Sequence, residues 1–292
     1  MIGAAKIAVM VLALAVSFSL AKWTAGQSGA NQAEASTRYR NRGIELFQSE
    51  RYEEAVEAFR QAIGLRPGYA EAFNDLGAAC ARINRHAQAI EAFSQAISLN
   101  PNLAAAHRNL GDEYYRLGRL AEAVDSLKRA IKLQPRYAMA HNDLCAVYLE
   151  MGRASAADTY CQEAVHLAPT FVEAHKNMAL VYAETARLAE AVEELKRVIQ
   201  LSLGDAQARN SLGVAYYRLG QRSKAFDSFL EAVRINPNYS DARYNLAMLS
   251  LALNRRERAL EEYNMLKRLD PILARELYGG IYGGLILDLR GR

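Results

Sequence analysis

Residues 70–103 read AEAFNDLGAACARINRHAQAIEAFSQAISLNPNL, and the proline near their end, Pro101, recurs at a fixed interval along the chain. All six prolines are Pro67, Pro101, Pro135, Pro169, Pro237 and Pro271, with spacings of 34, 34, 34, 68 and 34 residues. Leu203 occupies the place of the missing proline, so a 34-residue period runs unbroken through seven copies that start at Ser36, Ala70, Ala104, Ala138, Val172, Ala206 and Ser240. A period of this length marks a small structural unit that buries its apolar face against its neighbours.

Within the period, position 20 is always alanine: Ala55, Ala89, Ala123, Ala157, Ala191, Ala225 and Ala259. Position 8 is as small, with Gly43, Gly77, Gly111, Cys145, Ala179, Gly213 and Ala247. Two such positions in one repeat predict a close crossing of two antiparallel helices. Larger apolar residues flank it, among them Leu76 and Leu110 at position 7 and Phe59, Phe93 and Phe229 at position 24. Their spacings each mark one face of a helix. Position 15 is Gly118, Gly152 and Gly220 or Asn84 and Asn254, residues that tolerate the left-handed conformation ending a helix. Proline at position 32 stops the second helix.

Phe73, Leu76, Gly77, Ala89, Phe93, Ala96 and Pro101 together resemble the signature of the tetratricopeptide-repeat family. The resemblance implies an all-α fold, a right-handed superhelical solenoid of seven helix-turn-helix hairpins. The repeats are 36–69, 70–103, 104–137, 138–171, 172–205, 206–239 and 240–273, followed over 274–292 by a capping helix and an apolar, Gly-rich tail. Departures are local. Arg42 replaces the usual Leu in the first copy, Val198 stands at a small-residue position in the fifth, and Ser250 and Leu266 mark the last copy as a terminal one.

Upstream, residues 1–21 carry one Lys and then an apolar run from Ile7 to Leu20, which reads as a signal peptide or a signal anchor. Cleavage before Lys22 fits the small residues there; a run extended to Trp23 could instead just span a bilayer. Residues 22–35 are small and polar and read as a flexible linker, with folded structure starting at about Ser36. Localisation is therefore expected to be exported, periplasmic or secreted, or membrane-anchored with the repeats outside the cytoplasm. A net charge of +4 over 292 residues, with no long Lys/Arg run, argues against a nucleic-acid partner.

The family resemblance implies that positions 2, 5, 6, 9, 12 and 13 of each first helix face a concave groove. Position 6 alternates through Asn41, Asp75, Asn109, Asp143 and Asn177, ending in Asn245, and position 5 through Arg40, Asn74, Arg108, Asn142, Lys176 and Asn210. Asparagine carries both donors and an acceptor, so a ladder of it can hold an extended peptide backbone. It is similar to the ladder in the repeat domain of the O-linked N-acetylglucosamine transferase, although Asp breaks the pattern here. Tyr115, Arg116, Tyr217 and Arg218 at positions 12 and 13 complete the candidate peptide-binding residues. Cations at every second copy suit a partner with carboxylates. The Lys and Asn pattern that clamps chaperone C-termini is not reproduced, since position 9 is Ile44, Ala78 or Asp112.

His107, His141 and His175 share position 4, an aromatic packing site filled elsewhere by Tyr39 and Phe73, and read as packing rather than as a metal site. Cys145 and Cys161 lie on facing helices of one hairpin, as a candidate disulfide or as buried thiols; Cys80 is left over. Asn238-Tyr239-Ser240 is a glycosylation sequon or a turn. No nucleotide, nucleophile-elbow or metalloprotease motif occurs, so neither a cofactor nor an enzyme is expected. The tail, with Gly279-Gly280 and Gly283-Gly284 among apolar residues, makes a long helix unfavourable. It suits either folding back on the solenoid or adding to a partner's sheet edge. The expected function is a non-catalytic scaffold in an envelope or secretory assembly, with a membrane-anchored recruiter of a partner enzyme as the alternative.

Overall fold

The computed structural model describes residues 31–283, which are helices and turns with no strand among them. The chain divides at Pro135 into two units. The first holds α1 (31–48), α2 (Tyr52–Leu65), α3 (Ala70–Arg82), α4 (His86–Leu99), α5 (Ala104–Arg116) and α6 (Leu120–Leu133). The second holds α7 (Ala138–Glu150), α8 (Ala154–Leu167), α9 (Val172–Glu184), α10 (Leu188–Leu201), α11 (Ala206–Arg218), α12 (Arg222–Ile235), α13 (Ser240–Ala252), α14 (Arg256–Leu269) and α15 (Pro271–Gly283). In each unit the two helices of a hairpin pack on one another, and the second helix docks on the first helix of the next hairpin. Each unit is thus an all-α repeat solenoid.

The hairpin crossing is as tight as its small residues demand. All seven position-20 alanines have 0% exposure. A Cβ added to Gly77 would lie 2.6 Å from the Phe93 ring, and one on Gly213 would lie 2.5 Å from Phe229, so the glycine is what lets the ring lie against the backbone. Hairpin 4 has no ring at this place. Cys145 and Cys161 are joined there in a disulfide with Cα atoms 5.4 Å apart, and Cys80 stays free and buried.

The hairpin turn has a positive φ at position 15 in every copy: Glu50, Asn84, Gly118, Gly152, Ala186, Gly220 and Asn254. Five of these residues suit that conformation; Glu50 and Ala186 do not, and the surrounding turn hydrogen bonds hold them there. Position 4 has a polar role beyond packing. Nε2 of His107 and of His175 and Nε of Arg243 lie 3.0, 3.0 and 2.6 Å from the carbonyl oxygens of Pro101, Pro169 and Pro237, which satisfies carbonyls in the turn between hairpins.

Three boundaries differ from the sequence reading. Residues 31–35, placed in the linker, are already helical, extended by good helix formers and by the Arg38–Glu34 contact at 3.4 Å. The capping helix starts at Pro271 rather than 274, because proline is suited to a first helical position and Asp270 Oδ1 accepts from the backbone N–H groups of Ile272 and Leu273 at 3.1 and 3.0 Å. It also continues through Gly279-Gly280 to Gly283, since burial of Leu273, Ala274, Leu277 and Ile281 outweighs the glycine penalty. The leader, most of the linker and the tail beyond Gly283 lie outside the described residues. No helix among those described is long and apolar enough to cross a membrane.

The non-glycine turns make a direct prediction. Ala186→Gly removes a strained conformation and is expected to stabilise the chain by about 1 kcal/mol, while Gly220→Ala, with open space around its Cβ, is expected to cost a similar amount. Thermal unfolding followed by circular dichroism should move upward for the first and downward for the second.

Candidate protein-binding groove

The side chains at positions 5 and 6 are engaged with one another. Asn109 Nδ2 donates to Asn74 Oδ1, Asn177 Nδ2 to Asn142 Oδ1, and Asn245 Nδ2 to Asn210 Oδ1, each at 2.9 Å. In every case position 6 of one hairpin reaches position 5 of the preceding hairpin, 35 residues back. Arg40 Nε meets Asp75 at 2.6 Å by the same rule. The alternation of Arg-Asn with Asn-Asp is therefore a pairing code between hairpins, in which Arg meets Asp and Asn meets Asn.

This corrects part of the candidate list. Asn210 and Asn245 have 0% exposure and Asn142 has 7%, so these three present no surface to a ligand. Asn74, Asp75, Asn109 and Asn177 are half-buried in the same kind of pair, and only Asn41 is fully exposed, in a shallow polar hollow with Arg38 and Glu45. Cations expected to meet a partner's carboxylates already have internal ones. Arg40 is held by Asp75, Arg116 by Asp112 at 3.0 Å and Lys176 by Asp205 at 2.6 Å. Arg108, Asp143 and Tyr115 are half-buried, and Tyr217 is exposed. Burial raises the Asp75 carboxyl above its ordinary range, although Arg40 pulls the other way. Partial burial also opposes ionisation of Asp205, but Lys176 and the backbone N–H of Ala208 outweigh it and hold its pKa below the ordinary carboxylate value.

An open surface exists elsewhere, in the second unit. A cavity of about 330 Å³ lies between α9, α10 and α11, walled by Ala179, Leu180, Ala183, Leu188, Ala191, Leu195, Ala208, Val214 and Ala215. Lys176, Asn177, Glu184, Gln207, Ser211 and Arg218 form its polar margin. Positions 2, 5, 6, 9, 12 and 13 of these hairpins all contribute, as the family geometry implies, but of the sixteen candidates only Lys176, Asn177 and Arg218 line it. Leu180, Ala183 and Val214 were missed; their signal was an aliphatic residue at position 9 in two successive copies with a small one at position 12 of the first. Leu180 is 46% exposed, unusual for a leucine beside a buried alanine cluster.

Local departures from the repeat create this cavity. Where hairpins 3 and 6 carry tyrosine at position 12, hairpin 5 has Ala183, which leaves the wall recessed. Where the first copy closes on Tyr69, whose ring lies 5.5 Å from the Arg40 guanidinium, the fifth closes on Asp205. Asp205 accepts from the Ala208 N–H at 2.7 Å, capping α11, and its other oxygen holds Lys176. No group of three His, Cys, Asp or Glu residues that could hold a metal occurs among the described residues.

The family models agree with this architecture. One described as a tetratricopeptide repeat matches residues 40–104 and 176–240, a second so described matches 228–261, and a third, a TPR repeat, matches 111–152. The chain belongs to the tetratricopeptide-repeat family. No curated protein matches it. Among solved tetratricopeptide-repeat and related structures, YrrB, titled a TPR protein with an unusual peptide-binding site, is 24% identical with a TM-score of 0.57, covering 68% of this chain and 99% of its own. PilF of Pseudomonas aeruginosa is 19% identical with a TM-score of 0.60, covering 86% and 99%. MamA of Desulfovibrio magneticus RS-1 is 19% identical with a TM-score of 0.55, covering 58% and 96%. At these identities the likeness is one of fold alone.

The pairing code makes its own prediction. Asn245→Leu leaves the Asn210 Oδ1 buried without a donor and is expected to cost about 1–3 kcal/mol, whereas Asn109→Leu leaves a half-exposed Asn74 that water can reach and costs less. Urea unfolding of the two variants side by side should rank them in that order.

Proposed function

We propose that this tetratricopeptide-repeat protein is a non-catalytic scaffold that holds an extended segment of another protein against α9 and α11, in the assembly of an envelope or secretory complex. The observation that carries the reading is the apolar cavity of hairpins 5 and 6, in a chain whose other groove side chains largely pair with each other. Its volume is near the lower end of the roughly 300–1,000 Å³ of ligand sites, a size that takes a few side chains of a longer segment. Gln207 and Ser211 on its margin can bond a peptide backbone, and Asn177 keeps its Oδ1 as an acceptor after its amide is used by Asn142. A peptide-binding site in YrrB, on the same fold, is consistent with this use.

Arg218 favours a carboxylate in the partner, because its guanidinium donates to the neutral Ala183 carbonyl at 3.2 Å and meets no internal acid among the described residues. Export of the repeats is supported by the apolar run of residues 7–20 and by the Cys145–Cys161 disulfide, which suits an oxidising compartment.

Ala183→Tyr tests the reading without a foreign residue, since hairpins 3 and 6 carry tyrosine at this position. In affinity capture from the native source, the variant is expected to lose its partner by about tenfold or more, equivalent to about 1.4 kcal/mol. Asn41→Ala, in the first unit and outside the cavity lining, should retain it. Retention of the partner by a folded Ala183→Tyr chain would refute the proposal.

A further inference from the structure

On the reading that the cavity of hairpins 5 and 6 binds a peptide segment, we infer that the Cys145–Cys161 bond is its redox switch. Hairpin 4 closes on this bond, and through hairpin 4 the bond holds α9 and the start of α10, which wall the cavity.

The packing of hairpin 4 is the first ground. In the other six hairpins position 8 is glycine or alanine and position 24 is Phe, Leu or Tyr, so one large side chain fills the crossing. Hairpin 4 has a cysteine at both places, each with 0% exposure, and the bond spans the crossing with the Cα atoms 5.4 Å apart. Reduction leaves neither a bond nor a large side chain there. The two thiols then need the separation of about 3.5–4 Å usual for non-bonded heavy atoms, in a site sealed from solvent.

The second ground is where hairpin 4 touches hairpin 5. On α7, Asn142 lies one turn before Cys145, and its Oδ1 accepts from Nδ2 of Asn177, on the cavity margin, at 2.9 Å. On α8, Asp158 lies one turn before Cys161 and holds Nη1 of Arg187 at 2.9 Å. Arg187 is the residue that precedes α10, next to Leu188 of the cavity wall. Each helix of hairpin 4 thus sends one polar contact into hairpin 5, and the bond fixes the two helices one turn from both contacts. Parting α7 from α8 pulls these contacts out of register with one another.

The chemistry is a thiol–disulfide exchange. To make the bond, the Cys145 and Cys161 thiols give two protons and two electrons to an external disulfide RSSR, which leaves as two RSH. To break it, an external dithiol returns two protons and two electrons and is itself oxidised to a disulfide. In the closed hairpin neither sulfur is exposed, so the exchange takes place while hairpin 4 is open, during folding. Cys80 is a poor competitor. It is buried in the first unit, and burial pushes its thiol above the ordinary range, which leaves little thiolate to attack. A chain folded in an oxidising compartment therefore has its cavity walls held, and one folded among reducing thiols does not.

The test is hydrogen exchange followed by mass spectrometry on three full-length chains. They are the oxidised natural chain, a Cys145→Ser, Cys161→Ser variant, and a Cys145→Ala, Cys161→Leu variant that copies the Ala179 and Leu195 of hairpin 5. Amides of α9 are expected to exchange about tenfold or more faster in the serine variant than in the natural chain, while those of α3 and α4 in the first unit keep their rates. The alanine–leucine variant should restore slow exchange. Natural chain refolded with excess dithiothreitol should match the serine variant, which keeps the test decisive if that variant does not fold. Unchanged exchange in α9 would overturn the inference, and so would equal acceleration in α3 and α4, because the bond would then be a general staple. Fast exchange in the alanine–leucine variant would overturn it too, since a filled crossing would not be what holds α9. If α9 depends on the bond while Ala183→Tyr keeps the captured partner, the groove reading falls and the control of α9 by the bond stands. If Ala183→Tyr loses the partner and α9 ignores the bond, this inference falls and the groove reading stands.

Discussion

The contact between positions 8 and 20 is the constraint on which the rest of the structure depends. With alanine at 0% exposure on one helix and a small residue on the other, a glycine under a ring in hairpins 1, 2 and 6, the two backbones of a hairpin approach as closely as side chains permit. Each hairpin is then a thin plate of fixed thickness. Stacked plates of equal thickness keep equivalent residues in register, and register is what allows position 6 of one hairpin to meet position 5 of the last. The Asn–Asn and Arg–Asp pairs are consequences of that spacing, not independent sources of it. Hairpin 4 meets the same requirement differently, with a disulfide between its two helices in place of a ring over glycine.

The period, the close crossing and the left-handed turn at Asn84, Gly118, Gly152, Gly220 and Asn254 were legible in the sequence, because each is encoded by a residue type with one dominant physical use; Glu50 and Ala186 carried no such signal. Alanine or glycine at an invariant position has little reason to be there except close approach. Asparagine has several uses, and the sequence reading chose the wrong one for Asn142, Asn210 and Asn245 by treating each as a free donor and acceptor. The information needed was present, but across copies: Arg40 with Asp75, Asn74 with Asn109, Asn142 with Asn177 and Asn210 with Asn245 are complementary when position 5 is compared with position 6 of the next copy. Reading position by position hides this complementarity, since each column alternates and only the diagonal matches.

The histidines at position 4 teach a similar lesson. Flatness explains why imidazole fits an aromatic site, yet the ring nitrogen aimed at the proline carbonyl explains why arginine can take the same place in the last copy, where Arg243 reaches Pro237. The shared property is a hydrogen-bonding nitrogen at the right height. In that last hairpin the substitution carries a charge into the core, and Glu262, 2% exposed, answers it between Arg243 and Arg258. A buried acid between two guanidinium groups is a costly arrangement unless it is bonded to both, so this triad ties α13 to α14 within the last hairpin.

The candidate groove follows from the one place where the repeat loses its proline. Without proline at position 203, the turn into hairpin 6 needs another way to fix the start of α11, and Asp205 provides it by accepting the Ala208 N–H. An aspartate there cannot fill the space that an aromatic residue fills at the same position in the first copy, and its charge draws Lys176 towards the turn. Combined with alanine instead of tyrosine at position 183, these changes leave a recess lined by aliphatic side chains. Regularity of the repeat thus engages the side chains of positions 5 and 6 with one another, and the departure from regularity leaves an open recess beside them. In a periodic protein, the copies that break the pattern are therefore where a partner's contribution to the sequence is to be sought.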